Sequence, residues 1–306
     1  MKRLTRLLAL ALALGLTLLL SACGNKTNKE MVDASTQTAP PVEGVTALAL
    51  CDGSVTLRFE KDESGAWIWH DDPAFPLEQT ALDELLALPA ALDGGEAVAD
   101  GQELAVYGLE VPTKYVTVTS DGADVTYYIG DQAADGRWYV LTPAGRVLYT
   151  ADENKALLSR SIYSMAVLPV LPAITADKIV SVSLMNAGGG TVTFYTAEDG
   201  TRRSGSRDVT DRTAALAAEI GTLSITACVD YDPAEGAAAV CGLETPLVTL
   251  AVNYTADNGA DRALTLAIGL PTGDGGRYVA LDGDPTIYRM EEAALAQTLT
   301  LAETGL

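Results

Sequence analysis

The sequence predicts an α+β protein built of two tandem repeats, each a mainly antiparallel twisted sheet with helices packed on one face. Three observations predict it. An unusual string, "VYGLEVP" from Val106 to Pro112, returns 134 residues later as "VCGLETP" from Val240 to Pro246. Both copies are followed by alternating apolar and polar residues, the pattern of half-buried strands. Upstream of both, short strand-like runs lead into one amphipathic helical pattern.

The elements follow in chain order. Lys2, Arg3 and Arg6 precede an apolar run from Leu7 to Leu20, which ends in Leu20-Ser-Ala-Cys23. A basic start, a short apolar core and small residues before a cut define a secretory leader. The run is too short for a permanent membrane span. The Leu-Ser-Ala-Cys ending resembles a bacterial lipobox, which implies cleavage before Cys23 and acylation of its thiol. Residues 1–22 are therefore expected as a lipoprotein signal peptide, and membrane lipid as a partner through acylated Cys23. Residues 23–44 are polar and lack apolar periodicity, so they are expected as a flexible tether of about 25 Å.

Residues 45–172 make the first repeat. "VTALALC" and "SVTLRFE" read as strands joined at Asp52-Gly53, and "AWIW" as a third. A helix follows, with Leu82, Leu85 and Leu86 on one face and Pro89 as its stop. In the repeated string, Gly108 closes a helical turn in the left-handed conformation and Leu109 packs back on Leu104. Pro112 then opens a strand. Gly242, Leu243 and Pro246 are assigned the same three tasks in the second repeat, residues 173–306. The next strands flank Asp121-Gly122, a strong hairpin signal. Equal spacings then align Gly130 with Gly269, Tyr139 with Tyr278 and Tyr149 with Tyr288. Helical tails are expected over "DENKALLSRSI", capped by Thr150 with Glu153, and over "EEAALAQTLTL". In the second repeat Asp208 is the expected cap of a helix that turns Val209, Leu216, Ile220 and Leu223 to one side.

By these residues the chain resembles a family of bacterial lipoproteins known as domain of unknown function 4340. The resemblance rests on "AWIWHDDPAFPLEQTALDELLAL", the Gly-Leu-Glu-x-Pro joint, "IG" and "RWYVL". It is good from Val45 to Leu171 and weaker from Asp177 to Leu306, where "TRRSGS" replaces the Trp strand. It implies an envelope protein, extracytoplasmic and lipid-anchored, and it suggests an ABC-type membrane transport complex as partner. It carries over no activity.

Composition excludes some functions. With 41 acidic residues against 20 basic ones, the net charge is −21, and loss of the basic leader makes it more negative. Such a surface repels phosphate backbones, so no nucleic acid is expected. His70 is the sole histidine, and there is no Gly-x-Ser-x-Gly, His-Glu-x-x-His, Cys-x-x-Cys or phosphate-loop motif. No catalytic residue, metal site or cofactor is assigned. Beyond Cys23 three cysteines remain, an odd number that leaves a Cys228–Cys241 bridge open.

Trp67, Trp69, His70, Asp71, Asp72 and Trp138 are the candidate ligand or partner surface. Trp67 and Trp69 share one strand face, which is either core or an outward platform. The "WHDDP" cluster is either a polar ligand site or a solvated turn. These features describe a non-catalytic, lipid-anchored binding or scaffold module. The alternatives are an extracytoplasmic receptor for a small solute or glycan in the groove between repeats, and a carboxylate-based hydrolase.

Overall fold

The computed structural model describes residues 39–40, 42–99 and 101–306. Cys23, the leader and most of the tether lie outside the described residues.

The first half contains β1 (Val45–Asp52), β2 (Thr56–Lys61), β3 (Trp67–Trp69), α1 (Asp83–Asp93), β4 (Lys114–Ser120), β5 (Ala123–Gln132), β6 (Trp138–Leu141), β7 (Val147–Thr150) and α2 (Asp152–Ala156). Its sheet runs β3-β2-β1-β4-β5-β6-β7, with every pairing antiparallel. The second half contains β8 (Ile179–Asn186), β9 (Thr191–Thr196), β10 (Arg202–Ser204), β11 (Arg207–Asp208), α3 (Thr210–Ile220), β12 (Ala227–Asp230) and α4 (Ala237–Val240). It continues through β13 (Val248–Thr255), β14 (Asp261–Pro271), β15 (Gly276–Leu281), β16 (Ile287–Glu291) and α5 (Ala296–Thr304). Its order is β11-β10-β9-β8-β13-β14-β15-β16-β12. With β8–β10 read for β1–β3 and β13–β16 for β4–β7, the two orders are the same, apart from β11, which extends the edge beyond β10, and β12 at the other edge. Even β12 has a counterpart: Ala97 bridges Leu148, and Val98 donates to the Val147 carbonyl. The architecture is thus α+β, with two repeat-like antiparallel sheets.

Alternation explains which face each strand buries. Leu48, Leu50, Val116, Val118, Val125, Tyr127 and Ile129 point into the first core, with Ala49, Thr117 and Thr126 on the opposite face. Val182, Leu184, Leu250, Val252, Leu266 and Ile268 do the same in the second, with Ser183, Ala251 and Thr265 opposite. Each fully buried aliphatic side chain contributes about 1.5–3 kcal/mol relative to exposure. Asp121 (φ 52°) and Gly122 (φ 75°) form the two-residue turn between β4 and β5. Two positive φ values match the turn type whose twist suits a hairpin.

Helix ends differ from expectation in several places. α1 does not stop at Pro89 but runs on to Asp93. Proline costs the helix one hydrogen bond, yet Leu88 just before it and Leu92 beyond it are fully buried and hold the last turn against the sheet. Thr150 and Glu153 do not form a capping box. Thr150 ends β7, Ala151 is the N-cap, and the Thr150 hydroxyl accepts from Asn154 Nδ2. The tail after β7 is α-helical only to Ala156 and continues as 3-10 turns, and the other tail turns α-helical only at Ala296. Asp208 is not the N-cap of α3: it ends β11, and Val209 is the N-cap, without a side-chain bond. Asp208 does accept from Thr210 N–H, and hydrogen bonds from Thr210 hold its carboxyl below the ordinary value.

The repeated string builds one device twice. In the first half a 3-10 turn, Leu104–Tyr107, ends at Gly108 with φ 67°. Gly108 N–H donates to Ala105 O, and Leu109 N–H to Leu104 O at 2.9 Å. In the second, Gly242 (φ 70°) donates to Ala239 O, and Leu243 to Ala238 O at 2.7 Å. This bond pair closes a helical turn whose next residue is left-handed, a conformation glycine adopts without a Cβ penalty. Each turn then sits on a bulge in the following hairpin, after Ile129 in β5 and after Ile268 in β14. A Cβ at Gly130 would lie 2.1 Å from Tyr107 O, and one at Gly269 would lie 2.2 Å from Cys241 O. The "IG" that recurs after each joint marks where the joint touches the sheet.

Two details of the alignment change. Pro112 and Pro246 do not begin strands but stand two residues before Lys114 and Val248. Those strands are paired on both sides, so their residues must donate to a ladder, which proline cannot do. Equal spacing also misleads at the last strand. Tyr139 pairs with Tyr149, but Tyr278 pairs with Arg289, and Leu148 corresponds to the buried Tyr288. A shift of one residue exchanges the faces of a strand, so burial rather than residue type decides the match.

Candidate functional site

The residues singled out from sequence do not converge. Trp67 and Trp69 stand on β3, at one edge of the first sheet, and Trp138 on β6 is five strand steps away. That is about 24 Å at roughly 4.8 Å per strand. Trp67 is 8 % exposed and belongs to the core, and Trp69 packs against the same core with its ring edge-on to Phe75 at 5.5 Å. The outward platform is not formed. The physical reason is that β3 pairs only with β2, so its aromatics gain most by following Phe59 inward. The free edge of β3 is covered by one side chain: Gln79 Oε1 accepts from Trp67 N–H at 2.8 Å, and Gln79 Nε2 donates to Trp67 O at 3.0 Å.

The "WHDDP" cluster is a turn. His70 Nδ1 lies 3.2 Å from Glu60, both half-exposed, while Asp72 accepts from Ala74 N–H and Asp71 is exposed. Among the described residues no group of three His, Cys, Asp or Glu side chains is placed to hold a metal ion. Cys51, Cys228 and Cys241 are free thiols.

The cluster that does form lies between the halves, and sequence reading missed it. Tyr163, Ala166 and Tyr231 pack against both cores. Phe75 meets Tyr231 edge-on at 5.3 Å and Tyr163 at 6.3 Å. Tyr231 donates its hydroxyl to Ala74 O at 3.1 Å, and Tyr163 donates to Asp230 Oδ1 at 3.1 Å. These rings lie between the two cores, where the sequence reading placed a groove between repeats. Phe75 and Tyr231 come from "PAFPL" and "DYDP", loops outside either periodic pattern, and Tyr163 from "SIYSM", a 3-10 turn at the end of the first tail. A large aromatic in a polar or proline-bracketed loop is the signal that could have located them.

Beside the rings is a set of shielded polar groups. Burial, with the charges of Asp230 and Asp284, pushes the Cys228 thiol up to about 11. Burial and its bond to Asp284 push Tyr288 up to about 12. Burial works against Asp284 itself, but hydrogen bonds from Thr286 and Tyr288 outweigh it and hold the carboxyl low. Tyr163 is raised by burial and then by Asp230. Asp230 and Asp284 each accept from a tyrosine hydroxyl and the Cys228 thiol stays protonated at neutral pH, which describes a polar lock rather than a poised nucleophile.

Residues 67–216 match the family model described as Domain of unknown function (DUF4340). The match supports the DUF4340 family. It begins at β3, crosses the boundary between the halves and ends within α3, so it does not coincide with the Val45–Leu171 stretch of the expected resemblance. No curated protein and no solved structure matches the chain. No helix among the described residues is long and apolar enough to cross a membrane.

Proposed function

We propose that the chain is a non-catalytic scaffold module of the cell envelope, anchored by lipid at Cys23 and docked on an ABC-type membrane transport complex. The observation that supports this reading most is the shared packing of Tyr163, Ala166 and Tyr231, which ties both cores into one body. A body of that kind holds two wide sheet faces in constant relation. The row Thr193, Ser183, Ala251, Thr265 carries no charge in an acidic chain, and the row Ala49, Thr117, Thr126 meets its first charge at exposed Arg58 on β2. Flat, neutral, small-residue surface suits a protein partner. The equal strand order of the halves supports an origin by duplication of one DUF4340-like plan.

The test uses photo-crosslinking residues at Thr117 and Ala251 in the full chain, in native membranes. The expected product is a subunit of a transport complex, lost when Cys23→Ser removes the anchor. Absence of a transport subunit at both positions, with the chain still on the membrane, would refute the scaffold reading.

A further inference from the structure

The two halves differ at one equivalent place, and the difference looks outward. By strand register Lys114 corresponds to Val248, since each pairs with the end of the first strand (Asp52 or Asn186) and with the isoleucine before the bulge. Trp138 corresponds to Arg277, because each pairs with the residue just beyond that bulge. In the first half Trp138 occupies the space between sheet and tail helix. Lys114 and Lys155 approach its ring at 5.4 and 5.3 Å, and its N–H donates to Asp152 at 2.8 Å. In the second half the ring is missing and the space is open. A cleft of about 530 Å³ lies there, walled by Leu247, Val248, Leu299 and Ala302, with Arg277 on its lining. That volume is within the ordinary range for small-molecule sites, roughly 300–1,000 Å³.

We propose that this cleft binds a small monocarboxylate carrying a ring or similar apolar group, which takes the place that Trp138 fills in the first half. The site goes beyond the scaffold reading and does not depend on it. Arg277 is held for the task. Its side chain is 13 % exposed, with Nη1 donating to Gly269 O at 3.1 Å and Nε 3.1 Å from Glu292. A guanidinium has five N–H donors; Nη1 bonds Gly269 O, Nε is buried without a hydrogen-bond partner among the described residues, and Nη2 is left for a carboxylate. Glu292, 3.1 Å from Nε, offsets one positive charge, and Glu303 on the cleft lining repels a second negative charge. The ligand is therefore a monoanion. Leu247, 42 % exposed, and Leu299 supply apolar walls that a free ion would not need.

The experiment is calorimetric titration of the full-length protein with 3-phenylpropionate and with 3-phenylpropionamide, which differ only in the charged group. The acid is expected to bind saturably at one site, at least tenfold tighter than the amide. Arg277→Gln should bring the acid down to the affinity of the amide. Because Arg277 also braces β15, Leu247→Trp is the second variant: it closes the mouth from an exposed position and should abolish binding while leaving the unliganded melting temperature unchanged. Equal affinity for acid and amide, no saturable binding of either, or full binding by Leu247→Trp overturns the assignment.

Discussion

Gly130→Ala tests the joint directly. The new methyl would sit 2.1 Å from Tyr107 O, 2.9 Å from Leu109 Cγ and 3.1 Å from Leu109 Cδ2. The first of these is backbone, so it cannot rotate away, and the 3-10 turn must lift from β5. Overpacking of this kind costs about 1–3 kcal/mol where the structure yields a little. If the turn detaches, burial of Tyr107 and Leu109 is lost as well, at roughly 1.5–3 kcal/mol each. A loss of about 3 kcal/mol is the expected middle value. For a cooperative body of this size it lowers the melting temperature by about 6–12 °C. Gly269→Ala should behave alike, since its methyl meets Cys241 O at 2.2 Å. Gly145→Ala is the control: its φ is 75° but nothing lies within 4 Å of the added Cβ, so only the backbone cost of about 1 kcal/mol applies. Urea titration followed by tryptophan fluorescence reads all three. If Gly130→Ala unfolds at the same midpoint as Gly145→Ala, the joint does not press on the sheet and the explanation of the repeated glycine is wrong.

Two further outcomes follow from buried groups. Tyr127 is fully buried and its hydroxyl has no hydrogen-bond partner among the described residues, so Tyr127→Phe should be neutral or stabilise by about 1 kcal/mol; a loss above that size in urea titration would show that the hydroxyl is satisfied. The Cys228 thiol, raised to about 11 from 9.0, binds its proton more tightly folded than unfolded. Stability is therefore intact below pH 9 and falls as pH rises from 9 toward 11, by about 1 kcal/mol at pH 10. Cys228→Ala should flatten that part of the pH profile, and an unchanged slope would rule the thiol out as its source.

Much of the architecture is legible in the chain because it is written in local terms. The twofold appearance of Gly-Leu-Glu-x-Pro encodes a left-handed cap, and Asp121-Gly122 encodes a two-residue turn; both depend on backbone preferences that act over a few residues. Strand alternation likewise shows which residues share a face. It does not show which face is covered. The tryptophans of β3 could equally have formed a platform, and only their packing beneath Phe59 and against Phe75 turned them inward. Pro89 reads locally as a helix stop, and tertiary burial of Leu88 and Leu92 overrode it.

What the sequence by itself determined is the shared plan of the halves: the seven strands common to both, the main turns and the joint, while β11 and β12 of the second sheet were not foreseen. Tertiary structure alone decided how the halves meet and where space is left. Phe75, Tyr163 and Tyr231 come together from positions up to 156 residues apart, and no periodicity links them. The opening beside Arg277 depends on one residue pairing beyond a bulge and on a ring that is present in one half and missing in the other. Local preferences act through neighbouring dihedrals and are carried by short strings. Contacts between distant segments arise from the register and packing of the whole sheet, which no short string contains.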